Sequence, residues 1–166
     1  ESEPDKMVAN EMRHDASQSL AQNELVNFSI DTFHDGRNAF AFYINPIGGR
    51  GEGQTTNERV FNGDWFGVWE AKTGRFDGGW TLEIKVPFKT LRYGPGTDQV
   101  WGVQLMRINR WKNEVVFASP ADKARGSSGF MQVSSFATLT GLEVPPPGLN
   151  LEVKPYAIAQ VRSDKL

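Results

Sequence analysis

The chain has 166 residues, with 18 Lys and Arg against 20 Asp and Glu, so its formal net charge is −2. This near-neutral balance excludes a global basic field that would hold a phosphate backbone, and we expect no nucleic-acid partner. Cysteine is absent, which excludes disulfide frameworks, cysteine zinc sites and thiol nucleophiles. No apolar run reaches the roughly 18 residues of a transmembrane helix, while a hydrophobic content of 39% is enough for a core.

After a polar opening, two runs alternate between apolar and polar residues, at 25–31 and 39–45. Val26, Phe28 and Ile30 fall on one face of the first run, which predicts a half-buried strand. The sequence Asp-Gly between the two runs is a strong hairpin signal. Residues 46–64 contain five glycines and no periodicity, which predicts a long exposed loop.

Later alternating runs predict further short strands. Within 80–86 the even-numbered residues, beginning with Trp80, are expected to be buried and the odd-numbered ones exposed. Pro87 ends that strand, and one helical turn is expected over 88–92. Short strands joined by Gly and Pro turns, with almost no helix, are typical of an all-β antiparallel sandwich or barrel. The other predicted strands are 65–72, 100–108, 114–118, 137–142 and 151–162.

Catalytic motifs are missing from the sequence. His14 and His34 belong to no metal or nucleophile motif, and both are interpreted as solvated loop residues. Glu70 and Glu83 on neighbouring predicted strands would suit a glycosidase if they faced one cleft, but glutamates beside lysines are ordinary on the wet face of a sheet. The glycine-rich segment 48–53 lacks the Gly-Lys-Ser/Thr ending of a phosphate loop. We therefore expect a protein that is not an enzyme.

Oxygen ligands for a metal are offered by three aspartates. Asp31 and Asp35 flank the predicted hairpin turn, and Asp64 follows the long loop. Side chains of this type suit calcium, although their spacing is not that of an EF-hand. Calcium is therefore the one cofactor for which the sequence offers ligands.

Aromatic side chains remain as candidates for ligand binding, since their faces stack well on sugar rings. Trp80 and Trp101 begin apolar faces and are interpreted as core residues. Phe130 lies in a Gly- and Ser-rich segment, where a purely structural aromatic is less expected. Three tryptophans at strand starts or loop edges are candidates for exposure: Trp65, Trp69 and Trp111.

The sequence of 27–38, followed by Phe-Tyr-Ile-Asn-Pro at 42–46 and Trp-Thr-Leu-Glu-Ile-Lys-Val-Pro-Phe at 80–88, resembles the family 9-like carbohydrate-binding modules. Segments 101–104 and 136–142 extend the resemblance, which covers about residues 20–142. It is strongest to a bacterial group in which such a module precedes an outer-membrane β-barrel. The resemblance implies a β-sandwich that holds sugar chain ends between two aromatic side chains, with structural calcium nearby.

The resemblance also implies site residues. Phe130 takes the place of one stacking aromatic residue, while the other falls near Leu20. Asn45 takes the place of a sugar-binding asparagine, and Tyr43 that of its arginine neighbour. With the candidates from the aromatic pattern, the predicted carbohydrate site consists of Tyr43, Asn45, Trp65, Trp111 and Phe130.

The resemblance further implies three regions: the C-terminal part of a module at 1–143, a Pro-rich linker at 144–150 and the first strand of a barrel at 151–166. Members of the group have several strands ahead of the part that this chain resembles. The leading hypothesis is a non-catalytic carbohydrate-binding domain of an exported protein in the outer membrane or periplasm of a Gram-negative bacterium, with a saccharide and its own barrel as partners. A structural or gating module without sugar specificity is the alternative, and a glycoside-processing enzyme is the third.

Overall fold

A computed structural model describes residues 4–146, which form antiparallel strands in two layers. This confirms the predicted all-β, sandwich-like fold. The expected barrel strand at 151–166 lies outside the described residues, as does most of the linker. The strands of the described part are β1 (Leu25–Asp31), β2 (Ala39–Ile44), β3 (Arg50–Thr56), β4 (Val60–Asn62), β5 (Glu70–Phe76), β6 (Gly79–Lys85), β7 (Asp98–Asn109), β8 (Glu114–Phe117) and β9 (Ala137–Glu143).

Helix is confined to short pieces, as the frequent Gly and Pro predict. The longest described stretch, a 3-10 segment, is interrupted at Gly126, whose φ is 51° and ψ −135°. The helical pieces are α1 (Ser17–Leu20) and 3-10 turns at Pro4–Lys6, Phe88–Thr90, Lys123–Met131 and Val133–Ser135. The turn expected after Pro87 is confirmed.

The larger sheet has the strand order β4-β3-β2-β1-β7-β8, and β9 pairs with the first half of β7. The hairpin of β1 and β2 is confirmed, with Phe28 opposite Phe42. On its other edge β1 pairs with β7, where Val26 lies opposite Arg107. Strand β1 therefore lies in the middle of the sheet, between its nearest neighbour in sequence and a strand from the second half of the chain.

The second layer is the hairpin of β5 and β6, which packs with its flanking segments over one face of the large sheet. The core between the layers contains Phe42 and Ile44, both fully buried, together with Trp101, which was predicted to be a core residue. Trp69, a candidate for exposure in the sequence, is buried there as well.

The predicted alternation of faces over 80–86 is confirmed: the odd-numbered residues are the more exposed ones. Thr81, Glu83 and Lys85 are exposed, but Trp80 and the apolar residues that follow it are half-buried rather than buried. The physical reason is the width of the second layer. Two strands cover only part of the face of a larger sheet, so the rim of the hairpin stays open to solvent.

The opposite face of the large sheet is buried too, which corrects the expectation that β1 is a half-buried strand. Asn27, Ser29 and Asp31 are each at most 2% exposed, whereas Val26 and Phe28 are only half-buried. These polar side chains are internally bonded: the Ser29 hydroxyl donates to Asn27 Oδ1 at 2.7 Å. Burial of polar groups is tolerated when such bonds replace those to water.

The exposed loop predicted over 46–64 is wrong, because β3 and β4 occupy most of it. Strand β3 can pack at this place because two of its residues are glycines, which have no side chain to collide with neighbouring rings. A Cβ at Gly51 would lie 2.5 Å from the hydroxyl oxygen of Tyr43, and one at Gly53 would lie 2.4 Å from the ring of Phe61. Both aromatic rings therefore lie against strand backbone, and the glycines that suggested a loop are packing positions.

We expect Gly51→Ala to lower the free energy of unfolding by about 1–3 kcal/mol, because the added methyl group meets the Tyr43 ring. Gly63→Ala is the matched control, since the nearest heavy atom to its Cβ is 3.8 Å away. Urea denaturation measures both. In a Tyr43→Ala background the cost of Gly51→Ala should largely disappear. Equal losses from Gly51→Ala and Gly63→Ala would contradict this packing.

Candidate functional site

A cleft of about 430 Å³ opens where the loop between β1 and β2 meets β3 and the segment after β6. Its lining mixes ring faces with groups that form hydrogen bonds. Phe33 contributes an aromatic ring that is 57% exposed. The other side of the cleft is formed by the chain around Gln54 and by Arg92. The residues that line it are Thr32, Phe33, Asp35, Asn38, Ala39, Phe40, Gln54, Thr55, Thr56 and Arg92.

The loop that carries Phe33 is fixed by the buried carboxylate of Asp31, at the end of β1. Asp31 Oδ1 accepts hydrogen bonds from the backbone N–H groups of Phe33 (3.2 Å) and Asp35 (3.3 Å). Its Oδ2 accepts from the N–H of Gly36 at 2.9 Å, where φ is 65°. A carboxylate that collects three backbone donors holds the loop in one conformation, and the Phe33 ring is presented to solvent from it.

Asp35, in the loop that follows β1, also accepts several hydrogen bonds from the residues that come after it. Its Oδ1 accepts from the N–H groups of Arg37 (2.7 Å) and Asn38 (2.8 Å), and its Oδ2 from Asn38 Nδ2 at 2.6 Å. Burial alone would raise the pKa of Asp35, but the Asn38 side chain, these backbone donors and the nearby Arg37 charge outweigh it, so the pKa lies below its ordinary value. Asn38 Oδ1 in turn accepts from the N–H of Asn57 at 3.2 Å, which ties the loop to the turn after β3.

Several polar groups around the cleft remain available to a ligand. Within residues 4–146, the Gln54 amide and the Arg92 guanidinium take part in no side-chain hydrogen bond or ion pair. Thr55 borders the cleft, and its buried hydroxyl has no hydrogen-bond partner in the described chain. The position of Arg92 is set through its backbone, whose carbonyl accepts from the Thr32 hydroxyl at 2.5 Å. The arrangement can hold a polar ring by stacking and by hydrogen bonds from planar groups.

Two of the predicted site residues are enclosed by the fold. Tyr43 is 6% exposed, and burial, with the charges of Asp15 and Glu52, raises its pKa to about 12. Asn45 is fully buried, and its amide nitrogen donates to the carbonyl of Glu11 at 2.5 Å. The Asn45 Oδ1 accepts from the N–H of Gly49 at 2.8 Å, so this side chain closes the turn between β2 and β3.

The three predicted aromatic residues lie in separate places. Trp65 packs in the core against Phe40, with ring centroids 4.9 Å apart. Phe130 meets the edge of Phe61 at 5.5 Å on the other side of the sheet. Trp111, in the turn between β7 and β8, is 47% exposed and has the ammonium group of Lys6 4.3 Å from its ring centroid.

The structure thus brings the five predicted residues to no common surface, and it forms a cleft from residues that the sequence did not indicate for sugar binding. Phe33 could have been noticed, because a large apolar residue in the turn of a predicted hairpin is unusual. Gln54 could not, since it lay in the segment taken for a loop.

The three aspartates do not fit a calcium site. The oxygen atoms of Asp31 and Asp35 hold the loop between β1 and β2 through backbone N–H groups. Asp64 does not join them: within residues 4–146, the only group of three potential metal ligands close together is His14, Asp15 and Glu52. His14, interpreted as a solvated loop residue, lies exposed in a turn, and its Nε2 atom is 2.9 Å from Oε2 of the buried Glu52.

A second concave surface lies at the rim of the hairpin. It is an apolar groove of about 600 Å³ between the large sheet, at Val26, Phe28 and Leu105, and the hairpin, where Trp80 lines it. One charged residue lines it, Arg107, whose guanidinium lies 3.9 Å from the buried carboxylate of Glu24. With so few polar groups, this groove suits an apolar or protein ligand more than a polar one.

Comparison with known proteins gives no family. No family model matches the sequence, and no curated protein matches it either. Among the helices of residues 4–146, none has the length and apolar character needed to cross a membrane.

The Asp35 contacts predict a pH dependence. A pKa lowered by folding means that this carboxylate stabilises the protein fully above its unfolded value of about 3.9, and that the contribution is lost as the pH falls through the folded pKa. We expect Asp35→Asn to destabilise the protein at pH 7, by an amount that shrinks below about pH 4. Urea denaturation at pH 7 and pH 3 measures this. The control is Asp77→Asn, an exposed aspartate in the β5–β6 turn, and a deficit independent of pH would contradict the assignment.

Proposed function

We propose that the chain is a non-catalytic binding module and that its ligand is a saccharide held in the cleft beside Phe33. One observation carries the proposal: an exposed aromatic ring on a loop fixed by Asp31 and Asp35 stands beside the unpaired side chains of Gln54 and Arg92. The C–H face of a sugar ring packs on an aromatic face, and its hydroxyl groups bond to planar amides and guanidinium groups.

The fixed loop matters for affinity. A shallow cleft gains little from burial, so the entropy lost on ordering a flexible loop would cancel much of the binding free energy. Because Asp31 and Asp35 order the loop in the free protein, its conformational entropy is lost when the protein folds and does not reduce the free energy of binding. The resemblance to carbohydrate-binding modules supports the same ligand class, and it is the basis for proposing an exported bacterial protein of the outer membrane or periplasm.

Binding without hydrolysis is proposed because of the carboxylates. Asp35 is the acidic residue of the cleft lining, and its oxygens already accept three hydrogen bonds. A glycosidase needs two carboxyl groups on opposite sides of the bond that it breaks. Glu70 and Glu83 lie exposed on the outer face of the hairpin, where Glu70 faces Lys85 and Glu83 faces Lys72 across the strands.

A structural module without sugar specificity is the second candidate, and the apolar groove favours it. Neither edge of the β5–β6 hairpin pairs with another strand within residues 4–146, and Phe76 beside the groove is 60% exposed. An open strand edge next to apolar side chains is the usual setting for binding an added strand. In this function the groove, and not the polar cleft, would be the binding surface.

Substitutions separate the two functions. Once a glycan array has identified a ligand, calorimetry should show that Phe33→Ala weakens binding by about 1–2 kcal/mol, roughly five- to thirty-fold in Kd, by analogy with bases stacked on aromatic side chains. Gln54→Ala should weaken it as well. Phe76→Ala, an exposed phenylalanine of the other surface, is the matched control and should leave the Kd unchanged.

Two outcomes would count against the saccharide cleft. The first is an array without any bound glycan when circular dichroism shows that the protein is folded. The second is a glycan whose binding is weakened by Phe76→Ala or Trp111→Ala but not by Phe33→Ala, which would move the site to the groove or to the β7–β8 turn.

A further inference from the structure

Three side chains that could ligate a metal meet where the N-terminal segment crosses β3: His14, Asp15 and Glu52. One ligand atom from each lies within 4.8 Å of the other two. The Nε2 atom of His14 is 2.9 Å from Glu52 Oε2. The Asp15 carboxylate faces the other ring nitrogen, with Oδ2 3.3 Å from Nδ1, and because an imidazole gives one ion only one of its nitrogens, Asp15 has to turn toward Nε2 when an ion binds. We propose that these residues bind one divalent transition-metal ion and that Zn²⁺ fits the donor set.

The Glu52 carboxylate is built into the fold at this place. Its side chain is fully buried, and Oε2 accepts a hydrogen bond from the indole N–H of Trp69 at 2.8 Å. Its Oε1 accepts from the backbone N–H of Gly67 at 3.2 Å. Outer donors of this kind orient a ligating carboxylate and are a regular part of protein metal sites.

The other two ligands are brought to Glu52 by the backbone. The N–H of Asp15 donates to the carbonyl of Arg50 at 3.0 Å, two residues before Glu52 on β3. The side chains of His14 and Asp15 are 37% and 45% exposed. The site therefore has a rigid, buried wall on one side and an opening to solvent on the other, through which a hydrated ion can enter.

The distances and the donor atoms fit a transition metal. Zn²⁺ bonds of about 2.0–2.1 Å place the ligand atoms of a tetrahedral site about 3.3–3.4 Å apart, so the His14 and Glu52 atoms, now hydrogen-bonded at 2.9 Å, need to separate only slightly to admit an ion. An imidazole nitrogen with two carboxylates suits zinc and similar ions, whereas calcium prefers oxygen ligands throughout. Three protein ligands leave a coordination position for water.

Arg50, two residues before Glu52 on β3, has its guanidinium 5.3 Å from the ring centroid of Trp69. It stacks on the indole that donates to Glu52, and no ion pair joins it to Glu52 within the described residues. A bound ion would therefore add positive charge between Asp15 and Glu52 and would fasten the N-terminal segment to β3.

The test is calorimetric titration of the whole 166-residue chain with Zn²⁺ and, separately, with Ca²⁺. We expect one equivalent of Zn²⁺ and a rise in melting temperature on binding. His14→Ala and Asp15→Asn should each weaken Zn²⁺ binding at least about tenfold, since even the loss of an outer-shell partner costs that much. Asparagine tolerates the left-handed backbone of position 15, where φ is 58°, so this variant removes charge and keeps the loop. His34→Ala is the matched control, because His34 is the other histidine of the chain.

The results that would overturn the proposal are distinct. They are a Zn²⁺ Kd above about 1 mM for the folded protein, a loss of binding in His34→Ala as large as in His14→Ala, or Ca²⁺ binding as tight as that of Zn²⁺. If His14→Ala is unfolded by circular dichroism, Asp15→Asn decides, and unchanged Zn²⁺ affinity in it would exclude the site. The saccharide proposal does not depend on these outcomes.

Discussion

A buried carboxylate joins three parts of the chain at one point. Glu52 lies on β3 of the large sheet, Gly67 and Trp69 belong to the segment that leads into the second layer, and His14 belongs to the N-terminal segment. A charge without water around it must be compensated by hydrogen bonds, so each of these segments is held at a fixed distance from β3. Removing the Glu52 side chain would leave the indole N–H of Trp69 and the backbone N–H of Gly67 without an acceptor. It would weaken the attachment to β3 of both the segment that leads into the second layer and the N-terminal segment.

Asp31, the last residue of β1, is a second buried carboxylate that holds chain segments in place, and the two carboxylates fix different parts of the structure. One fixes the layers and the other fixes the loop beside the cleft. Both faces of β1 are covered, and the side chains of its polar face are less exposed to solvent than Val26 and Phe28 on its apolar face. Beside the cleft, the backbone of the loop after β1 is bonded to Asp31 and Asp35, whereas the side chains of Gln54 and Arg92 take part in no hydrogen bond or ion pair within residues 4–146.

Much of the fold could be predicted from the sequence. The β1–β2 hairpin, β7, the turn after Pro87 and the alternation from Trp80 onward follow from periodicity and turn residues, which are local. The strand β3 could not be predicted in this way, because Gly51 and Gly53 are required by the rings of Tyr43 and Phe61, which reach them from other strands. The burial of the predicted site residues Tyr43 and Asn45 could not be predicted for the same reason: the tertiary structure encloses them, and periodicity does not report which polar residues are enclosed.

The position of β1 in the sheet bears on how the protein folds. Strands β1, β2 and β3 follow one another through short turns and can pair early, but the other edge of β1 is completed only by β7, with Val26 opposite Arg107, 81 residues later (107 − 26 = 81). Closing so long a loop costs entropy before any contact repays it, which slows folding in proteins with many distant pairings. Until β7 arrives, the edge that carries Phe28 and Ile30 is exposed on a partly folded chain. An unpaired edge of this kind on a partly folded chain promotes association with other copies of the protein.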